Sequence, residues 1–147
     1  MDIKEIGQYN ILSLAYLGDS IWESHIRKHY FMANLKVEGF NNKVKDLVNA
    51  KAKSKIYKEL LDSLDEELKN ICKRGRNANI KSFAKSCSQT EYRNATAFEV
   101  LIAVLHLTDN EEKIDEIIKN IVEGESTKWK NLKTFLFLIW IRVSEST

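Results

Sequence analysis

Apolar residues recur at helical spacing along most of the chain and predict α-helices. Between residues 10 and 33 they form a stripe too broad for a surface helix, so this segment is predicted as a central, buried helix. The stripe consists of Leu12, Leu14, Ala15, Leu17, Ile21, Trp22 and Ile26. A second periodic segment, capped by Asn41 or Asn42, continues to Leu60 and predicts one further helix.

Cap signals divide the middle of the chain. Ser63 and Glu66 have the spacing of a capping box and predict a short helix that ends near Gly75. A basic segment over residues 76–89 is predicted as a loop, and the apolar spacing predicts another helix from Thr90.

The last predicted helix begins at Asp109, which forms a second capping box with Glu112, and ends at Gly124. Residues 1–125 are therefore predicted to form one domain. Residues 126–147 form a C-terminal tail without an assigned role, in which residues 135–141 are all apolar.

Composition supports an all-α fold, because the 147 residues contain no proline and only five glycines, the usual turn residues of β-rich folds. An apolar content of 44% and a net charge of +2 argue against disorder, and two cysteines are too few for a disulfide scaffold. The N-terminus lacks the features of a secretory signal, and a membrane-spanning helix needs about 20 apolar residues. We expect a soluble, cytoplasmic protein with reduced thiols and no membrane partner.

Charges are segregated along the chain, although the net charge is small. Residues 43–58 contain six lysines and only one acid, Asp46, while residues 69–93 contain seven basic residues and only Glu91. Acidic segments at 59–67 and 109–125 offset them. Such basic segments are either solvated helix faces or a surface for a nucleic-acid backbone.

Two carboxylates interrupt the most apolar predicted helices. Asp19 directly follows Gly18, and Glu99 lies between Phe98 and Val100. A carboxylate within a buried stripe is costly unless it is compensated. Either these acids lie at the stripe's edge, or they meet to hold a divalent cation, since Mg²⁺ prefers oxygen ligands.

Four short motifs resemble those of the ribonuclease III family, and in particular its compact bacterial branch, Mini-ribonuclease III. Residues 14–23 (LAYLGDSIWE) resemble the family signature, and residues 95–101 (ATAFEVL) its second acidic motif. The runs KRGRNA at 73–78 and YR at 92–93 are typical of the compact branch. The resemblance covers about residues 9–124. It implies a helical, homodimeric catalytic domain without an appended double-stranded-RNA-binding domain, as the chain length also leads us to expect.

The resemblance implies that Asp19 and Glu99 are the catalytic residues and ligands of Mg²⁺, with Mn²⁺ as a substitute, and that cleavage leaves a 5′-phosphate and a 3′-hydroxyl. Ala15 and Thr96 stand where the wider family has two further acids, which marks the compact branch. Thr96 and Glu23 are candidate outer ligands, although Glu23 also has helical spacing to Arg27, which favours an ion pair.

The basic segment suits the shallow minor groove and phosphate ridges of double-stranded RNA. The predicted RNA-binding residues are Lys73, Arg74, Arg76, Asn77, Lys81, Lys85 and Arg93. Lys51, Lys53 and Lys55 are weaker candidates, and His25 and His29 are predicted as surface or RNA-facing residues rather than metal ligands.

By resemblance, the physiological substrate is the paired ends of the 23S ribosomal RNA precursor, and a large-subunit ribosomal protein assists cleavage. The alternative is a catalytically inactive relative that binds RNA or the ribosome and lost its chemistry with Ala15 and Thr96.

Overall fold

A computed structural model describes residues 1–82 and 85–123, which fold into seven α-helices and one 3₁₀ turn, with no strand among them. The all-α prediction is confirmed. The helices are α1 (Ile3–Ile6), α2 (Ile11–Phe31), α3 (Val37–Val48), α4 (Ala50–Leu60), α5 (Glu66–Arg76), α6 (Gln89–Leu107) and α7 (Glu111–Glu123), with the 3₁₀ turn at Leu61–Ser63 between α4 and α5.

Helix α6 is the centre of the fold, with α2, α4 and α5 packed around it. Ser88 caps α6 by accepting a hydrogen bond from the amide of Glu91, and most of its residues from Asn94 to Leu105 are buried. The prediction that α2 is the central helix was wrong, because α2 buries one side against α6 and leaves Leu12, Tyr16 and Leu17 exposed.

Trp22 of α2 contacts both α6 and α3. Its indole ring meets Phe98 of α6 edge-on, with ring centroids 4.8 Å apart, and its Nε1 donates a hydrogen bond to the Leu47 carbonyl of α3 at 2.8 Å. The indole is fully buried, and its one polar group is satisfied, as a core tryptophan requires.

The single helix predicted to end at Leu60 is two helices, and Asn41 and Asn42 lie inside the first of them. Asn49 causes the break: it has an extended backbone, and its side-chain oxygen accepts a hydrogen bond from the amide of Ala52 at 2.9 Å. The apolar spacing continues across this cap, so periodicity alone does not detect it.

Two other predicted caps are displaced. Asp65, not Ser63, caps α5 by accepting a hydrogen bond from the Leu68 amide, while Ser63 ends the 3₁₀ turn. Asp109 has a φ of 59° and α7 begins at Glu111, so Asp109 precedes the helix start by two residues. The predicted end at Gly124 and the tail from residue 126 lie outside the described residues.

His25 joins α2 to α7, since its Nδ1 lies 2.7 Å from Asp115 Oδ1. Its side chain is largely buried, so the prediction of a surface or RNA-facing histidine was wrong for this residue. His29 is exposed, as predicted.

Candidate active site

Gly18 lets α2 and α6 cross in close contact. A Cβ atom at this position would lie 1.7 Å from the carbonyl oxygen of Glu99 and 3.1 Å from the amide nitrogen of Ala103. Only glycine allows this approach of two helix backbones. Because Asp19 follows Gly18 directly, the crossing brings its carboxylate to the neighbourhood of Glu99.

Lys53 of α4 lies between these two carboxylates. Its Nζ donates hydrogen bonds to Asp19 Oδ1 at 2.5 Å and to Glu99 Oε1 at 3.0 Å. The lysine side chain is only 5% exposed, compared with 19% for Glu99 and 55% for Asp19. One buried ammonium therefore compensates the acids that interrupt the apolar faces of α2 and α6.

The pKa values of the two buried members reflect this arrangement. Burial lowers the pKa of Lys53, but the charge of Glu99 and the contact with Asp19 raise it by more, so the lysine is held protonated. Burial raises the pKa of Glu99 above its ordinary value against the opposing effect of Lys53, and the charge of Asp19 adds to this rise. The two acids therefore decide the direction of the pKa shift for Lys53, whereas burial decides it for Glu99.

Both acids face an open cleft of about 600 Å³ between α2 and α6. Its remaining lining comes from the two helices and from the segment that follows α5: Leu12, Ala15, Tyr16, Tyr92, Thr96, Asn79, Ile80, Lys81 and Ser82. The lining combines charged and polar groups with apolar side chains, and its volume leaves room for water and a phosphate group.

Ala15 and Thr96, the two positions without an acid, line the same cleft as Asp19 and Glu99. Thr96 is buried, and its hydroxyl donates a hydrogen bond to the Tyr92 carbonyl one turn earlier. Glu23 pairs with Arg27 at 2.9 Å, which confirms the ion pair favoured by their spacing. A role for Glu23 or Thr96 as outer ligand stays a prediction.

Three of the predicted RNA-binding arginines make bonds within the protein. Arg74 donates to the Gly7 carbonyl at 2.7 Å, and Arg93 donates to the Arg76 carbonyl at 3.1 Å. Arg76 donates to the buried side chain of Asn94, which in turn donates to Ser54. These bonds tie α5 to the N-terminal turn, to α6 and, through Asn94, to α4, and they account for the arginines in structural terms.

The other predicted RNA-binding residues, Lys73, Asn77, Lys81 and Lys85, are exposed. They run from the last turn of α5 through the segment before α6, and Lys81 lines the cleft. Their exposure, and the place of Lys81 in the cleft, fit a phosphate-binding surface, and RNA contact by all seven residues stays a prediction.

Lys53, predicted from the sequence only as a weaker RNA-binding candidate beside Lys51 and Lys55, is instead the partner of both acids. A signal was available, because Ile56, Tyr57 and Leu60 follow it at intervals of three, four and seven residues, and all are buried. Lys53 therefore lies on the buried face of α4, whereas Lys51 and Lys55 are exposed.

The donor set suits a hard divalent cation. Asp19 Oδ1 and Glu99 Oε1 both contact the Lys53 ammonium, so two carboxylate oxygens already surround one positive charge. This position lies at the edge of a cleft with room for water ligands. Within residues 1–82 and 85–123 there is no group of three or more His, Cys, Asp or Glu side chains able to hold a metal. Any ion bound here relies on Asp19, Glu99 and water.

Comparison with known proteins decides the family. The model of the ribonuclease III domain family matches residues 12–110, which include both acids and Lys53. The chain belongs to the ribonuclease III domain family. It is thus an endoribonuclease by family, and the resemblance of its four motifs to this family is confirmed.

Ribonuclease III relatives of similar length cover most of the chain. A Mini-ribonuclease 3-like protein of Ilyobacter polytropus is 48% identical over 85% of this chain and 97% of its own length. A Mini-ribonuclease 3 of Brevibacillus brevis is 42% identical over 80% of this chain and 90% of its own. A crystal structure of a Fusobacterium nucleatum protein has a TM-score of 0.74 and 45% identity, covering 80% of this chain and 94% of that one.

Two further sequence expectations concern thiols and membranes. Cys72 and Cys87 are both buried, and they are not joined in a disulfide. None of the helices in the described part of the chain has the length and apolar character needed to cross a membrane.

Proposed function

We propose that the chain is a homodimeric, Mg²⁺-dependent endoribonuclease that cleaves both strands of double-stranded RNA. Its products carry 5′-phosphate and 3′-hydroxyl ends. The observation that carries this proposal is that Asp19 and Glu99 both contact one cationic group, the Lys53 ammonium, beside an open cleft.

Asp19 and Glu99 hold the metal and orient it toward the scissile phosphate. When bound, Mg²⁺, or Mn²⁺ in its place, supplies activation of water and stabilisation of charge on the phosphate oxygens. The Thr96 hydroxyl donates its hydrogen bond to the Tyr92 carbonyl, so its oxygen can still accept one from a water molecule in the cleft. Glu23, committed to Arg27, has at most an indirect part.

The exposed residues Lys73, Asn77, Lys81 and Lys85 bind the RNA backbone and direct the duplex to the cleft. The surface is stabilised from below by three arginines, Arg74, Arg76 and Arg93, which bond to backbone carbonyls or to Asn94. Each guanidinium has further N–H donors, and these contact the RNA phosphates.

The physiological substrate in this proposal is the 23S ribosomal RNA precursor, matured in the cytoplasm with the help of a large-subunit ribosomal protein. Similarity to proteins named Mini-ribonuclease 3 supports this part. The homodimer is supported by exposed apolar side chains on α2, including Tyr16 at 84% exposure. Light scattering on the purified chain tests it by the mass, which for a dimer is twice 17.1 kDa.

The decisive experiment compares the wild-type chain with Asp19→Asn and Glu99→Gln on an end-labelled RNA duplex, with Mg²⁺ or with EDTA. We expect wild-type cleavage only with the metal, and a loss of at least about a hundredfold in either variant. The products should accept a new 5′ label only after phosphatase treatment, as 5′-phosphate ends require.

The matched control is Glu38→Gln, which neutralises an exposed acid of α3 and should cut like wild type. Circular dichroism establishes that each variant is folded. Undiminished cleavage by Asp19→Asn would contradict the site assignment.

One observation favours a second candidate, an inactive RNA-binding or ribosome-associated relative. With Ala15 and Thr96 in place of acids, Lys53 already satisfies the two carboxylates that remain. A wild-type chain that binds duplex RNA but does not cut it with Mg²⁺ or Mn²⁺ would establish this candidate instead.

A further inference from the structure

The ammonium of Lys53 lies between the carboxylates of Asp19 and Glu99 and contacts both. Two of the three donors of its ammonium are taken by Asp19 and Glu99, and its side chain is almost fully buried among Ile56, Tyr57 and other residues of the α4 inner face. A lysine this deeply buried requires paired partners, and it has them. Its interaction with both acids at once distinguishes it from an ordinary ion pair.

We propose that Lys53 is a tethered counter-ion of the catalytic acids: it holds Asp19 and Glu99 together in the metal-free chain, and a divalent cation binds only by displacing its ammonium. This inference rests on the proposed function, because the cation in question is the one that the nuclease requires. It assigns Lys53 as a positioning residue that sets metal affinity.

Charge counting supports displacement. Asp19 and Glu99 carry two negative charges, and Lys53 supplies one positive charge at 2.5 and 3.0 Å from them. A divalent ion that joined the intact trio would place three positive charges against two negative ones in a partly buried site. The interaction between like charges at such distances is strong where water is scarce. Release of the ammonium from at least one carboxylate removes this repulsion.

The covalent geometry of lysine permits such a release. Nζ is carried on a flexible stem of four methylene groups, so it can leave the acids without any movement of α4. The carboxylates already face the open cleft, so the incoming ion and its waters have a route to them. Displacement then costs two charge-assisted hydrogen bonds, and wild-type metal affinity should be correspondingly weak.

The first experiment measures Mg²⁺ binding by calorimetry, without RNA, to wild type, Lys53→Gln and Lys53→Arg. We expect Lys53→Gln to bind Mg²⁺ at least about tenfold more tightly than wild type, because the competing charge is gone. Lys53→Arg retains the charge and should bind as weakly as wild type. Lys55→Gln, an exposed lysine of the same helix, is the matched control and should leave the affinity unchanged. Equal or weaker Mg²⁺ binding by Lys53→Gln would overturn the inference.

The second experiment uses wild type alone and does not depend on the folding of a variant. In side-chain NMR of ¹⁵N-labelled lysine, the Lys53 ammonium should be protected from exchange without metal, and should lose that protection as Mg²⁺ saturates the site. A Lys53 signal that stays unchanged while Mg²⁺ binds would show that the ammonium is not displaced. Neither readout uses cleavage, so the inference and the proposed nuclease activity can fail separately: a chain that cuts RNA with Lys53 still protected contradicts only the displacement.

Discussion

Gly18 contacts the backbone of Glu99 so closely that the place of Glu99 beside Asp19 depends on the absence of a side chain at residue 18. The Cβ of any other residue at position 18 would fall 1.7 Å from the Glu99 carbonyl oxygen. The atom in the way is backbone of the central helix, which cannot turn aside as a flexible side chain can.

Gly18→Ala should therefore destabilise the fold and disrupt the site together. We expect the free energy of unfolding to fall by about 3 kcal/mol or more, because α2 must move away from α6 to admit the methyl group. Urea denaturation measures the loss. The matched control is Gly39→Ala in α3, where the new Cβ would meet only the Leu35 Cβ at 4.0 Å. That substitution should stabilise the chain by up to about 1 kcal/mol. Equal effects at the two positions would refute the close crossing.

This relationship also explains how far the sequence predicts the site. The apolar spacing correctly predicts helices over most of α2 and α6, and the resemblance to ribonuclease III singles out Asp19 and Glu99. The spacing does not show that the two helices cross at Gly18, because a crossing depends on packing between segments that are distant in sequence. The pairing of the acids is a property of the three-dimensional structure.

The errors in the sequence predictions have two physical origins, local capping and tertiary packing. Asn49 ends α3 with a local side-chain cap while the apolar spacing continues, so the spacing predicts one helix where the structure has two. The predicted helix end near Gly75 is confirmed, because α5 ends at the next residue, but the spacing does not show that this glycine also allows close packing on α6, with Val100 Cγ2 only 2.8 Å from where its Cβ would lie. The charge of Lys53 predicts an exposed side chain, whereas its position on the buried face of α4 places it inside the fold.

The exposed lysines should differ from the internally bonded arginines in their effect on the stability of the fold. We expect Lys73→Ala, Lys81→Ala and Lys85→Ala each to weaken binding of duplex RNA and to reduce the slope of log affinity against log salt by up to about one, as loss of one phosphate contact requires. Fluorescence anisotropy at several salt concentrations measures both. Lys28→Ala, an exposed α2 lysine outside the basic segments, is the control. Arg93→Ala should weaken RNA binding as well and, unlike the lysine variants, lower the free energy of unfolding by about 1 to 2 kcal/mol, because its bond to the Arg76 carbonyl is lost. The assignment fails if the lysine variants keep the wild-type salt slope.

Cys72 should make the fold sensitive to alkaline pH. Burial, reinforced by the charge of Asp65, raises the pKa of this thiol from 9.0 to about 12. The folded chain therefore keeps a proton that the unfolded chain loses, so the stabilising contribution is complete below about pH 9 and declines as pH rises toward 12. The decline approaches about 1.4 kcal/mol per pH unit.

Urea denaturation of wild type and Cys72→Ala between pH 8 and 11 tests this dependence. Cys72→Ala is expected to be less stable at pH 8 but to lose less stability above pH 9. Tyr57, whose pKa is raised to about 12 by burial and, in the wild type, by the charge of Cys72, adds to the difference in the same direction. Parallel stability curves for the two proteins would contradict the prediction.

The three charged groups of the site come from three separate helices, with Lys53 lying 34 residues from Asp19 and 46 from Glu99 along the chain. Each of these two ion pairs closes a long loop, so the entropy of closure has to be overcome before either contact can form. No fragment containing one or two of the helices holds the complete trio. The charged trio therefore assembles only as α2 and α4 dock on α6, so it is a marker of the completed fold.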